Sequence, residues 1–205
     1  MFLGSDMDRK NLEYRVLKKS NRIEHNIRFI SRYLLDVTSG LVYCATRNEC
    51  DKVAELLTIH LGKPVRSYHS GLNASERKRN AFEWKLGLSP VLVATSAFEL
   101  GVNHSSVRVV IHFSPPLSLS SYIQQCGRAG RDGKPAQCIL LYDELSFKLS
   151  RAMVKQSSLA TKQDLDEMIA FCLSEDCIRA RLVQKMTGTL PENLNCNINT
   201  CSCRN

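Results

Sequence analysis

The sequence predicts an α/β domain built on a parallel sheet, followed by a smaller, mostly helical unit. Three observations carry this. Between Gly40 and Tyr142, short apolar runs of strand type alternate with amphipathic stretches of helical spacing. That is the rhythm of crossover units in a sheet buried on both faces. After Asp143 the strands stop and three helical stretches follow one another. The nine cysteines are uneven, with Cys172, Cys177, Cys196, Cys201 and Cys203 crowded at the end. An odd total without a secretion signal argues against a disulfide framework, and the crowding argues for a metal.

The elements follow in order. Residues 1–39 form a basic, mostly polar lead-in. Within it, Asn11–Val16 alternates as a half-exposed strand does, and Ile23–Leu35 carries apolar residues at 23, 27, 30 and 34, which is helical spacing. Gly40–Cys44 reads as a strand, and Asn48–Leu61 as a helix ended by Gly62 and Pro64. Val65–His69 is the next strand. Asn73 with Glu76 three residues on forms a capping pair for a helix running to Leu86. Val91–Ala94, Val107–Phe113 and Cys138–Tyr142 are strands, with a helix over Leu119–Cys126 between the last two. Beyond a boundary near 144, helices are predicted over Leu145–Val154, Asp164–Leu173 and Asp176–Met186, and residues 191–205 form a polar, Asn- and Cys-rich tail. The division is therefore 1–39, 40–144 and 145–205.

A net charge of +8, from 28 Lys+Arg against 20 Asp+Glu, favours a polyanionic partner. No apolar run reaches the length of a membrane span, and the first residues lack the pattern of a signal peptide. A soluble intracellular protein is expected, nuclear if its source is eukaryotic.

Two segments stand out. Gln124 to Gly133 (QQCGRAGRDG) sets Arg128 and Arg131 among glycines that let backbone approach a phosphate. Arginine is always charged, and its planar fork matches phosphate oxygens. The other segment is Val91 to Gly101 (VLVATSAFELG). Ligands on wound parallel sheets gather at the carboxyl ends of the strands, and both segments are expected there. An arginine on a transferring phosphoryl is worth about 10³ to 10⁵ in rate.

Residues 40 to about 143 resemble the second motor domain of a superfamily 2 helicase, and specifically of the RecQ family of DNA helicases. The resemblance rests on Leu41-Val42-Tyr43-Cys44 with Arg47, Tyr68 to Leu72, Val93 to Phe98 with Gly101, Val107 to His112, and Tyr122 to Gly133; Asn11-Leu12 with Tyr14 resembles the family's approach to this domain. It implies a RecA-like sheet followed by a zinc-binding module. It implies that Gln124, Arg128 and Arg131 face a nucleotide, Arg131 as the arginine finger, with Gly101 and Asn103 near the interdomain cleft. It implies DNA contacts at Arg47, Ser70, Thr95 and Ser96. Each position has a plainer reading. Thr95 can simply cap a helix, His69 can be a packed strand-end residue, and Arg47 can be a surface charge at a helix start.

The chain departs from the family pattern in places. Glu99-Leu100-Gly101-Val102-Asn103 stands where the family usually has Gly-Met-Gly-Ile-Asp, and Ser105-Ser106 where Pro-Asp is common. No phosphate loop of the form Gly-x-x-x-x-Gly-Lys-Ser/Thr and no acidic metal-holding motif occurs. ATP and Mg²⁺ would therefore be shared with a first motor domain supplied in cis or in trans, and this polypeptide alone is expected not to hydrolyse ATP. Cys177-Ile178-Arg179 resembles the start of the family's zinc-module helix. Cys177, Cys196, Cys201 and Cys203 would then close a structural zinc site, with Cys172 a possible substitute for one ligand. Two readings stand: the second motor domain and zinc module of an ATP-dependent 3′–5′ DNA helicase, and a non-catalytic module, or degenerate helicase remnant, holding single-stranded or partly duplex DNA.

Overall fold

The structure is a computed structural model that describes residues 8–99 and 106–189. Its framework is a six-stranded, all-parallel sheet of order β1-β6-β5-β2-β4-β3. The strands are β1 (Leu12–Lys18), β2 (Gly40–Tyr43), β3 (Val65–Tyr68), β4 (Val91–Ala94), β5 (Val109–His112) and β6 (Ala136–Tyr142). The helices are α1 (Ile23–Leu34), α2 (Arg47–Leu61), α3 (Ala74–Lys85), α4 (Leu119–Cys126), α5 (Glu144–Met153), α6 (Leu159–Leu173) and α7 (Ile178–Thr187), and a 3₁₀ turn spans Ser96–Glu99.

Alternation along each strand builds two cores. Leu41 and Tyr43, Leu92 and Ala94, and Cys138, Leu140 and Tyr142 face α3, α4 and the last three helices. Val42, Val91, Val93, Ile139 and Leu141 face α1 and α2. Successive strand side chains point to opposite faces, so a central strand is apolar at nearly every position, with the buried His112 at the end of β5 an exception. β2, β4 and β5 are buried throughout. The helices after residue 144 share the first core: Phe147, Val154, Leu165, Met168, Phe171 and Leu182 pack in one cluster with strand residues such as Tyr14 and Val110.

Helix ends are set locally. Thr46 caps α2 by accepting the Glu49 N–H at 3.1 Å, while Glu49 accepts the Ala45 N–H at 2.8 Å. Gly62 closes that helix at φ +60°, a left-handed conformation suited to glycine. Asn73 and Glu76 form the expected capping box. One helix begins earlier than its periodicity predicts: α6 starts at Leu159 rather than Asp164, because Ser158 caps it through the Thr161 N–H. Its first turn is mostly exposed and so carries no apolar spacing to read.

Candidate functional site

The carboxyl ends of β2, β3 and β4 open onto a shallow groove of about 460 Å³ lined by Ala45, Thr46, Arg47, Asn48, Ser70, Thr95, Ser96 and Met153. Arg47, Ser70, Thr95 and Ser96, singled out from three separate segments, thus lie on one surface. Thr46 Oγ1 takes the third N–H of α2. The N–H groups of Arg47 and Asn48 have no partner within the helix and stand at its positive end. Thr95 is nearly enclosed and donates its N–H to the Tyr68 carbonyl at 3.2 Å, whereas Ser96 is exposed.

His69 and Asp51 organise the rim of this groove. The Gly71 N–H donates to His69 Nδ1 at 3.2 Å, so the ring proton sits on Nε2, which donates to Asp51 Oδ1 at 2.9 Å. His69 is therefore the packed residue of the plainer reading, and it fixes the Ser70-Gly71 turn. Gly71 is needed for close approach. An added Cβ would come 3.0 Å from His69 Nδ1 and 3.1 Å from Arg47 Cδ. Asp51, exposed on α2, was not singled out in the sequence, since only its distance from His69 in space gives it a role.

A second cavity of about 250 Å³ adjoins the groove through Ala45, Ser96 and Met153 and reaches His112, Ser114 and Gln125. Burial holds the His112 imidazole down at about 4, against a smaller opposing effect from its hydrogen bond with Gln125. Its Nε2 lies 2.8 Å from Gln125 Oε1, and its ring stacks on Tyr43. Beneath this, Lys19 Nζ bonds Ser114 Oγ at 3.0 Å and lies 3.7 Å from Glu49, which accepts from Ser114 Oγ at 2.8 Å. The loop after β5 is thereby tied to the start of α2.

The arginine turn lies elsewhere, which corrects the expectation that both marked segments sit at carboxyl strand ends. Gly130 donates its N–H to the Val107 carbonyl just before β5, and Asp132 pairs with Arg108 at 2.6 Å. That places the turn at the amino ends of β5 and β6. The reason is topological: α4 leaves the carboxyl end of β5 and runs back along the sheet before β6 can begin parallel to it. The Arg108 hydrogen bond holds the Asp132 carboxyl below its usual range.

The two arginines are also not equivalent. Arg128 is 8% exposed, with its guanidinium 5.6 Å from the centre of the Phe98 ring, whereas Arg131 is exposed and donates Nε–H to the Gly127 carbonyl at 3.1 Å. Gln124 is exposed, while its neighbour Gln125 is buried on His112. Phe98 belongs to the 3₁₀ turn that begins at Ser96. The groove and Arg128 are therefore bridged by a single short turn.

Gly101, Asn103, Cys196, Cys201 and Cys203 lie outside the described residues. Cys177 is half-buried at the N-cap of α7, where its Sγ accepts the Ala180 N–H at 3.5 Å, and Cys172 is fully buried. Among the described residues, no group of three or more His, Cys, Asp or Glu could hold a metal, and no helix is long and apolar enough to cross a membrane.

Residues 23–133 match the family described as Helicase conserved C-terminal domain. The chain belongs to the RecQ-like superfamily 2 helicase C-terminal domains. Among similar proteins, the ATP-dependent DNA helicase hus2/rqh1 of Schizosaccharomyces pombe is 39% identical over 88% of this chain and 14% of its own length. The ATP-dependent DNA helicase RecQ of Bacillus subtilis is 36% identical over 83% of this chain and 29% of its own. The RecQ-like DNA helicase blm-1 of Caenorhabditis elegans is 31% identical over 99% and 21%. This RecQ-like chain thus spans less than a third of the curated relatives it matches. Its RecA-like sheet is also that of Saccharomyces cerevisiae Dbp5 bound to RNA and ADP BeF3, with TM-score 0.59 and 20% identity over 80% of this chain and 42% of that one. That likeness concerns the fold.

Proposed function

We propose that this chain is the arginine-bearing motor domain of an ATP-dependent 3′–5′ DNA helicase acting in repair or recombination. The groove at the carboxyl ends of β2–β4 would be its strand track, and Arg131 its contact to a nucleotide held by a phosphate-binding motor domain. The observation that carries the reading is the convergence of Arg47, Ser70, Thr95 and Ser96 on one groove. Two hydroxyl-bearing strand ends, a helix N-terminus and an exposed guanidinium suit successive backbone phosphates and ignore base identity. Arg131 is the exposed arginine and so the one able to meet a phosphate from outside. Arg128, held against Phe98, would register movement of the 3₁₀ turn that begins in the groove. ATP with Mg²⁺ supplies a phosphoryl group in transfer, and this chain contributes charge stabilisation there. Gln124, Gly101 and Asn103 would border the same cleft.

Zinc fits in part. Cys177 is half-buried at the N-cap of α7, and Cys196, Cys201 and Cys203 would complete a structural site with it. Cys172, enclosed in the core, would not.

The test is fluorescence anisotropy with a labelled single strand. For about three neutralised phosphates, affinity should fall about 20-fold between 50 and 200 mM salt, and Arg47→Ala should flatten the slope by about 0.7. Salt-independent binding, or a slope unchanged by Arg47→Ala, refutes the track. Addition of a phosphate-loop motor domain should start ATP turnover that Arg131→Ala cuts by at least about 10³-fold. Turnover indifferent to Arg131→Ala would leave a non-catalytic DNA-binding module.

A further inference from the structure

The segment Asp8–Leu12 is hydrogen-bonded to two places far away in sequence. On one side it holds the arginine turn. Arg9 Nη2 donates to the carbonyls of Ala129 and Gly130 at 2.9 and 2.6 Å. Asn11 Nδ2 donates to those of Gly130 and Lys134 at 2.9 and 2.8 Å. Arg9 Nε–H donates to Asn11 Oδ1 at 3.3 Å, which fixes the two side chains to each other. Contact is close enough that Gly130, at φ +55°, has no room for a side chain: an added Cβ would lie 2.5 Å from Asn11 Nδ2.

On the other side the same segment is held by α7. Arg179 is 4% exposed and packs its guanidinium 5.4 Å from the centre of the Tyr14 ring. It pairs with Asp8 and donates to the carbonyls of Arg9 at 3.2 Å and Leu12 at 2.6 Å. A buried guanidinium on the last described helix thus grips the backbone of the residue whose own guanidinium grips the turn.

We infer that Arg9 and Asn11 are positioning residues for the turn that carries Arg128 and Arg131, and that Arg179 holds them in place. The seating of α7 on β1 then sets the conformation of the arginine turn. Arg9 and Asn11 bind three of the turn's carbonyls, so they fix its backbone without occupying the exposed side of Arg131. The functional weight of this strap rests on the nucleotide reading above; its existence does not.

The test is amide hydrogen exchange on this chain, without nucleotide or DNA. Arg9→Ala should speed exchange at Ala129, Gly130 and Gly133 at least about tenfold relative to β2 and β4. Arg179→Ala should do the same from a residue that does not touch the turn. The double variant should add little to the larger single effect, since both act through one link. Arg9→Lys should restore part of the protection. If Arg179→Ala unfolds the chain, Asp8→Asn gives a milder version of the same loosening. Turn exchange unchanged by Arg9→Ala, unchanged by both Arg179→Ala and Asp8→Asn, or multiplied in the double variant overturns the inference. Because the assay contains no phosphate, an Arg131 that no nucleotide meets would remove only the ATP reading.

Discussion

Replacing His112 by Gln should remove a pH dependence of folding whose size follows from the site. The imidazole is fully enclosed between Tyr43 and Tyr122, bonded to Gln125, and held by burial at about 4. In the unfolded chain it returns to about 6.5. Between these values the unfolded state binds the proton and the folded state does not, so stability falls as pH drops through this window and is level above and below it. A gap of about 2.5 units at about 1.4 kcal/mol per unit amounts to about 3 kcal/mol. Urea unfolding at half-unit steps from pH 7.5 to 4 measures it. Carboxylates titrate in both proteins, so the difference between wild type and His112→Gln isolates the imidazole. That difference should shrink by about 3 kcal/mol on acidification. Parallel curves would mean that the ring titrates at its ordinary value and that enclosure does not control it.

Two further outcomes are expected. Trp84 is 1% exposed, donates Nε1–H to the Gly40 carbonyl at 3.0 Å and meets Phe98 edge-on; Trp84→Ala should cost about 3–5 kcal/mol in urea unfolding followed by circular dichroism. Gly71→Ala should leave stability within about 1 kcal/mol yet weaken single-strand binding severalfold by anisotropy, since its Cβ displaces the Arg47 stem.

The parallel sheet was readable because its buried strands are short, mostly apolar runs. Val91–Ala94 and Leu119–Cys126 fall where their pattern predicts. Val107–Phe113 trimmed to β5, since apolar residues continue past the ladder into the bonds of Val107 and Phe113 with Gly130 and Tyr43. The groove residues were readable through the resemblance of their segments to helicase motifs, and Thr95 and Ser96 also through their place directly after a strand. The arginine turn was misplaced because its position depends on the return path of α4, not on its distance from a strand in sequence. Asp51, Lys19 and Glu49 were not singled out, and Arg179 was noted only as part of the helix start after Cys177, as each acquires its role from a partner distant in the chain.

β1 is among the first parts of the sheet to be synthesised and among the last to find its place. Its register with β6 sets Glu13 beside Gln137, 124 residues later. A ribosome must deliver nearly the whole motor domain before that pairing can close, and closing so long a loop is entropically slow. Until then Tyr14 and Val16 have no sheet to cover. Between the synthesis of β1 and that of β6, the side of β1 that carries Tyr14 and Val16 is an unpaired apolar strand, the kind of edge that favours association with other chains.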